Sequence, residues 1–298
     1  MTLIRPSAHF LMCRPEHFAV TYAINPWMDP RSWATDEDAH AAASRREWTR
    51  LARRLADLGA SVELVPPVPG LPDLVFTANA AVVLDRQVLL ARFRHPERRG
   101  EEVHFEAAFR SLQARGLVDA VRKLPGKVLL EGAGDCVWDR TRNLFWMGYG
   151  PRSDAAARHV VEDTFGPEVI PLELADQRFY HMDTALCPLP RGEVMYVPQA
   201  FTLAGRGVIR HRVTAAQRIE IGMEDASQLA ANAVCLGNTM MMSGCGDRLR
   251  GQLAERGYRV MTTPLRSFLR SGGAAFCLTL RLDLQSVPAH AADHAAAA

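Results

Sequence analysis

Apolar and polar positions along this chain come in short bursts whose period changes as the chain proceeds. Residues 9–12, 62–65, 127–130, 136–139, 144–147, 184–188, 193–197, 233–236, 239–243 and 259–262 are brief apolar runs bounded by turn residues, the signature of short strands. Residues 80–93 read as a hairpin turning at Asp85-Arg86. Apolar residues at helical spacing fill 36–58, which stops at Gly59, and 97–115, which stops at Gly116. Segments 153–165, 214–221 and 247–256 also read as helices. Two strands, a helix and a strand thus recur roughly every 50 residues, without close sequence identity between units, and repetition at that length suggests a propeller-like ring. Gly132-Ala133-Gly134 leads into a strand, not a helix, and lacks a third glycine, so a dinucleotide-binding fold is excluded.

The last burst carries chemistry. In 271–282, Phe276, Leu278, Leu280 and Leu282 alternate with Ala275, Cys277, Thr279 and Arg281, which predicts a strand with one greasy face. Cys277 falls on the opposite face, just after Gly272-Gly273, where backbone or ligand can approach closely. A thiol so placed is a candidate nucleophile, although most free cysteines behave as small hydrophobes.

Length and composition narrow the class. The chain has 298 residues and is 48% hydrophobic, enough for one large domain, expected over 1–286, with 287–298 a low-complexity tail expected to be disordered. A net charge of +2, from 35 basic and 33 acidic residues, argues against a nucleic-acid or anionic-membrane partner. No apolar run is long enough to span a membrane, and the N-terminus lacks the pattern of a secretory signal. Six cysteines without a C-x-x-C pair point to reduced thiols and the cytoplasm, and ten histidines show no zinc-ligand spacing. His40, among acidic residues, reads as part of a solvated helix start.

Four further segments place polar side chains inside apolar runs. Asn79 interrupts 73–83 and needs hydrogen-bond partners if buried. Glu131 follows an apolar strand and precedes glycines, where it can line a pocket or sit in a surface loop. His181 and Asp183, two apart in an expected strand, point to one face and can meet one ligand; His181 can carry protons near neutral pH. Arg152 follows a tight Gly148-Tyr149-Gly150-Pro151 loop at an expected helix start, where a cation opposes the helix dipole and a ligand anion would relieve it. Arg98 and Arg99 are a weaker case of the same kind. A thiol, a histidine, carboxyl and amide groups and an arginine can together hold a planar guanidinium against a thiolate while binding an amino-acid end.

In this combination the chain resembles the guanidino-group-modifying, or pentein, superfamily. The segments that carry the resemblance are Phe76-Thr77-Ala78-Asn79, Glu131-Gly132-Ala133-Gly134-Asp135, His181-Met182-Asp183 and the Gly272-Gly273-to-Cys277 run, in the family's order, across about residues 9 to 283. The resemblance implies a five-bladed pseudo-symmetric α/β propeller of ββαβ units. It also implies a hydrolase of C–N bonds in linear amidines that needs no cofactor and no metal. Cys277 would be its nucleophile, His181 its acid and base, Glu131 and Asp183 its guanidinium clamp, and Arg152 and Arg98 its carboxylate-binding groups. Asn25, Phe76 and Ser271 would complete the substrate site, with the 9–33 segment as a candidate cover. The partner is then a small molecule, with a homo-oligomer left open. Deiminases and dimethylarginine hydrolases usually carry aspartate where this chain has Asn79. With Ile24-Asn25-Pro26-Trp27-Met28 and Gly148-Tyr149-Gly150-Pro151-Arg152, that departure resembles the arginine dihydrolase branch, which takes arginine to ornithine, carbon dioxide and two ammonia. The alternatives are a deiminase or dimethylarginine dimethylaminohydrolase releasing citrulline, an amidinotransferase, and a non-catalytic propeller that binds a partner.

Overall fold

A computed structural model describes residues 8–286; the tail expected to be disordered lies outside them. The strands form five three-stranded sheets, each of one design. Ala81–Leu84 runs antiparallel to Gln87–Leu90, which pairs in parallel with Ala120–Arg122 after a helical crossover. Cys136–Asp139, Leu144–Tyr149 and Glu168–Glu173 repeat the arrangement, as do Leu186–Pro188, Val194–Tyr196 and Arg218–Glu220, and Val234–Leu236, Thr239–Met242 and Arg259–Thr262. The fifth sheet joins both ends of the described chain. Leu280–Arg281 pairs antiparallel with His9–Cys13, which pairs in parallel with Ser61–Val65. The expected ring of ββαβ units is therefore present, closed by its last strand on its first.

The first strand of every unit lies on the axis. Val82, Val137, Cys187, Val234 and Leu280, one from each, line a central cavity of about 1250 Å³. The crossover helices pack outside. The 21-residue helix Glu37–Asp57 shows why they form: Asp36 caps it by accepting from the Ala39 N–H, and Ser44, Trp48, Leu51 and Leu55 bury one face at spacings of three and four. Truncating fully buried Leu51 to alanine would cost about 2–5 kcal/mol. None of the helices among the described residues is long and apolar enough to cross a membrane.

Departures from the expected elements have identifiable causes. The expected helix 97–115 divides into Pro96–Arg99 and Glu101–Ala114 at Gly100, and the division turns Arg98 and Glu101 inward. Glu168–Glu173 contains Pro171, which is tolerated because this strand is the sheet's outer edge. The crossover helix between Val194–Tyr196 and Arg218–Glu220 is Leu203–Arg212, where two glycines weaken the pattern; 214–221 holds only a short turn and the strand Arg218–Glu220. Residues 127–130 make an isolated bridge, Arg92 to Leu130, and no strand. Arg152 does not begin a helix, because the following helix starts at Ala157. His181 is extended, but Asp183 belongs to the helical turn Met182–Ala185, so the two do not share a strand face. Only Leu280–Arg281 of the expected C-terminal strand is extended. Cys277 sits on a helical turn, with the Leu278 N–H bonded to the Ala274 carbonyl at 3.2 Å, and the alternating pattern there does not mark one core face, since Ala275, Cys277 and Thr279 are buried as well as Leu278 and Leu280.

Candidate active site

A polar side chain stands at a corresponding place in the turn that enters the axial strand of each unit. Asn79 precedes Ala81–Leu84, Glu131 precedes Cys136–Asp139, His181 precedes Leu186–Pro188, Asn232 precedes Val234–Leu236 and Cys277 precedes Leu280–Arg281. They recur at about the 50-residue spacing of the units. All five are 2% exposed or less, so each must find its partners inside the protein. None of them lines the central cavity.

The Cys277 sulfur lies 3.1 Å from Asp183 Oδ2 and 3.0 Å from Asn232 Nδ2. Burial first, then the Asp183 charge, pushes this thiol well above its ordinary range. Burial also raises the Asp183 carboxyl to about 7, against the hydrogen bonds from Cys277 and Asn232. The turn is held to the neighbouring unit by the Ala78 N–H, which donates to the Cys277 carbonyl at 3.1 Å.

Glu131 organises the second half. Its Oε2 meets His181 Nε2 at 2.8 Å and Arg152 Nη1 at 3.1 Å, while Oε1 accepts from the Arg94 N–H. Burial alone would raise the Glu131 carboxyl; Arg152 and the His181 hydrogen bond outweigh it and hold the group far below the carboxylate range. Burial takes His181 down to about 4 against the pull of Glu131. Its contacts assign the neutral ring a proton on Nε2, donated to Glu131, and leave Nδ1 as an acceptor 3.5 Å from Asn79 Nδ2. Asn79 is fixed at both ends: Oδ1 accepts from Arg98 at 2.9 Å, and Nδ2 donates to the Glu131 carbonyl at 3.2 Å. Gly134 allows this fit, since a Cβ there would stand 2.1 Å from Asn79 Nδ2.

Two buried carboxylate oxygens and one hydroxyl at this end of the axis have no hydrogen-bond partner: Asp183 Oδ1, Asp73 Oδ1 and Ser271 Oγ. Unpaired acceptors of this kind are costly unless a cation or donor reaches them. Tyr22 donates to the other Asp73 oxygen at 2.8 Å. A segment before the first helix lies across the site. Ile24 accepts from Arg152 at 3.0 Å, Asn25 Nδ2 donates to the Ser271 carbonyl at 3.0 Å, and Trp27 Nε1 donates to the Arg178 carbonyl at 2.7 Å. Residues 9–13 of the expected cover belong instead to the strand His9–Cys13. At Gly272, with φ of +80°, a Cβ would strike Tyr180 and Trp27, so the chain turns there only as glycine.

The structure thus brings Cys277, Asp183 and Asn232 together, and Glu131, His181, Asn79, Arg152 and Arg98 together beside them. Arg98 is committed to a two-pronged contact with Glu101 as well as to Asn79. Arg152 lies 4.5 Å from the Tyr180 ring. Phe76 packs edge-on to Phe18 and Phe268 and forms the floor against which Gly273 sits. Asn25 uses both ends of its amide on Trp27 and Ser271. Sequence reasoning did not single out Asn232, Asp73 or Tyr180. For Asn232 the signal was the unit spacing, which predicts a polar residue in the fourth turn.

The family model for N,N-dimethylarginine dimethylhydrolase, eukaryotic, matches residues 14–284. The bifunctional arginine dihydrolase/ornithine cyclodeaminase ArgZ of Synechocystis is 41% identical over 281 residues, which cover 93% of this chain and 38% of that protein. The chain therefore spans little more than a third of that relative's length. The N(G),N(G)-dimethylarginine dimethylaminohydrolase of Mycobacterium tuberculosis is 34% identical over 273 residues, 92% of this chain and 85% of that one. Among solved structures, the N-terminal domain of ArgZ, an asparagine-to-serine variant covalently bound to a reaction intermediate, superposes with a TM-score of 0.87. It is 38% identical and covers 95% of this chain and 100% of that chain.

Proposed function

The chain belongs to the N,N-dimethylarginine dimethylhydrolase family, and from that premise we propose that it hydrolyses the guanidino group of L-arginine through a covalent Cys277 intermediate to ornithine, carbon dioxide and two ammonia. The observation that carries the reading is the pairing of a buried thiol with Asp183, one of whose oxygens has no partner, next to an amide, Asn79, at the position where a second acid would favour a cation throughout. We take 1–286 as one catalytic unit, with the cytoplasm as its compartment.

The guanidinium neutralises Asp183 and lowers the thiol toward thiolate. Cys277 Sγ bonds to the guanidino carbon as its proton passes to neutral His181. The carbon–nitrogen bond to one terminal nitrogen breaks, and that nitrogen leaves as ammonia with the proton from His181. His181 then takes a proton from water, whose oxygen bonds to the thiouronium carbon. A deiminase stops when the carbon–sulfur bond breaks and citrulline leaves.

The ureido group is neutral. An aspartate at 79 favours the cationic guanidinium over it, whereas an amide offers a donor and an acceptor to both. The Asn79 N–H facing His181 at 3.5 Å is the looser of its two donor contacts and the one able to turn to the ureido oxygen. A second attack by Cys277 then expels the second ammonia, and the next water leaves a carbamate that decarboxylates to ornithine. Arg152 holds the substrate carboxylate in this reading, close enough to Glu131 to keep the clamp ionised.

The test is a product assay. Purified protein incubated with L-arginine should give ornithine with two ammonia per arginine. Citrulline with one ammonia would make it a deiminase, and turnover only of methylated arginine would make it a dimethylaminohydrolase.

A further inference from the structure

The fourth unit's turn residue has no assigned part in this chemistry, yet it touches the reacting sulfur. Asn232 is fully buried, and its amide orientation is settled by its surroundings. Oδ1 accepts from two backbone N–H groups of the nucleophile's own turn, Ala274 at 3.0 Å and Cys277 at 3.1 Å. Two N–H donors on one atom identify that atom as the oxygen. The other end must be the NH2 group, and it faces the Cys277 sulfur at 3.0 Å and the Asp183 carbonyl at 3.4 Å.

We propose that Asn232 is a catalytic residue that donates a hydrogen bond to the Cys277 thiolate and, through its oxygen, fixes the turn that aims that sulfur at the substrate. The proposal rests on Cys277 being the nucleophile but not on which guanidino compound is turned over. Two observations and one physical principle support it. Asn232 stands at the position in its unit that Asn79, Glu131, His181 and Cys277 hold in theirs, so the ring repeats a buried polar group at this place in every unit. Before substrate binds, the ionisable groups felt at the sulfur, Asp183 and Tyr180, bring no positive charge to a thiolate, so the Asn232 N–H is the side-chain donor already in place there. A donor already held in place needs no reorganisation when the charge forms.

Asn232→Asp separates the two functions. The carboxyl keeps an oxygen for the Ala274 and Cys277 N–H groups and puts an oxygen, not an N–H, against the sulfur. Three readouts apply: steady-state kinetics on the protein's guanidino substrate, the pH dependence of Cys277 alkylation by iodoacetamide, and thermal melting. The expected result is a kcat lowered about 100-fold with little change in KM, the effect of removing one preorganised donor. The alkylation curve should shift to higher pH. Activity should partly return as pH falls and the new carboxyl regains a proton it can donate, a recovery that a purely structural role would not produce. Wild-type kcat and an unshifted alkylation curve in a folded variant would overturn the proposal.

If the variant does not fold, the wild type decides. The Asn232 side-chain amide proton signals in 15N-labelled protein should move when Cys277 is blocked with methyl methanethiosulfonate; unmoved signals would also overturn it. Alkylation and the amide signals require no substrate, so failure of the arginine reading leaves both readouts intact.

Discussion

Asp183 carries a measurable cost of keeping the site ready for a cation. It is 1% exposed, Oδ1 has no partner, and burial raises its carboxyl from 3.8 to about 7. A raised carboxyl binds its proton more tightly when folded. The associated stability is therefore complete below about pH 4 and is lost as pH rises through about 7. That difference corresponds to about 4 kcal/mol above pH 7, since each tenfold change in proton affinity is worth about 1.4 kcal/mol. Asp183→Asn removes that ionisation. The new NH2 group lacks an acceptor where Oδ1 stood, which returns about 1–3 kcal/mol of the gain. The net expectation is a variant more stable than wild type by about 1–3 kcal/mol at pH 8, a rise in Tm of several degrees, and by clearly less at pH 5. Turnover should be lost at both. His181 titrates in both proteins and drops out of the difference. Thermal melts of the two proteins at pH 5 and pH 8 read this directly. A Tm difference that does not change with pH, or a variant less stable at pH 8 than wild type, would refute the reasoning.

Other substitutions address the remaining parts. Cys277→Ser keeps a group that can accept from Asn232 and donate to Asp183, so it should fold normally while turnover falls about 1000-fold or more; activity near wild type would remove the nucleophile assignment. Gly134→Ala should lower kcat at least about 10-fold in a folded protein, because its Cβ would stand 2.1 Å from Asn79 Nδ2 and push the amide off Glu131. Unaltered kinetics would mean that Asn79 need not sit where it does. Arg152→Ala should raise KM about 10-fold or more. Since Arg152 also bonds Glu131, kcat should fall too, and an effect on kcat alone would assign Arg152 to Glu131 and not to the substrate carboxylate.

A ring of repeated units was legible because an apolar strand pair, a helix and a third strand recur at one spacing, while the count of five came with the family resemblance. Outer strands were harder to see where Pro171 broke the pattern of Glu168–Glu173 or where only three residues, Ala120–Arg122, were involved. The helix Leu203–Arg212 was hidden by Gly205 and Gly207; Gly205 is buried close to Phe201 and Leu172, a packing reason that no helix propensity records. Cys277 was found for an incomplete reason. Its neighbours alternate in sequence, but they form a turn in which Ala275 and Cys277 are buried as well as Leu278, and period alone does not separate a strand from such a turn. The polar residues around it were legible wherever glycine or charge marked them, as at Glu131 and His181. Asn232 lies in Ala-Ala-Asn-Ala-Val and carries no such mark; only its place in the ring and its two backbone donors give it meaning. Asp73 and Tyr22 come together through tertiary packing across 51 positions, which local pattern does not encode.

The central claim is that one thiol acts twice on one carbon because residue 79 is an amide. Wild type and Asn79→Asp, run side by side on L-arginine with ornithine, citrulline and ammonia quantified, test it most directly. Arg98 would pair with the new carboxylate, and the lost donor to the Glu131 carbonyl costs a comparable amount, so the variant should stay folded. A change of about 1.4 kcal/mol in the relative barriers shifts the product ratio tenfold. The account predicts ornithine from the wild type and predominantly citrulline from the variant. Citrulline from the wild type, or ornithine from both at equal rates, would contradict it.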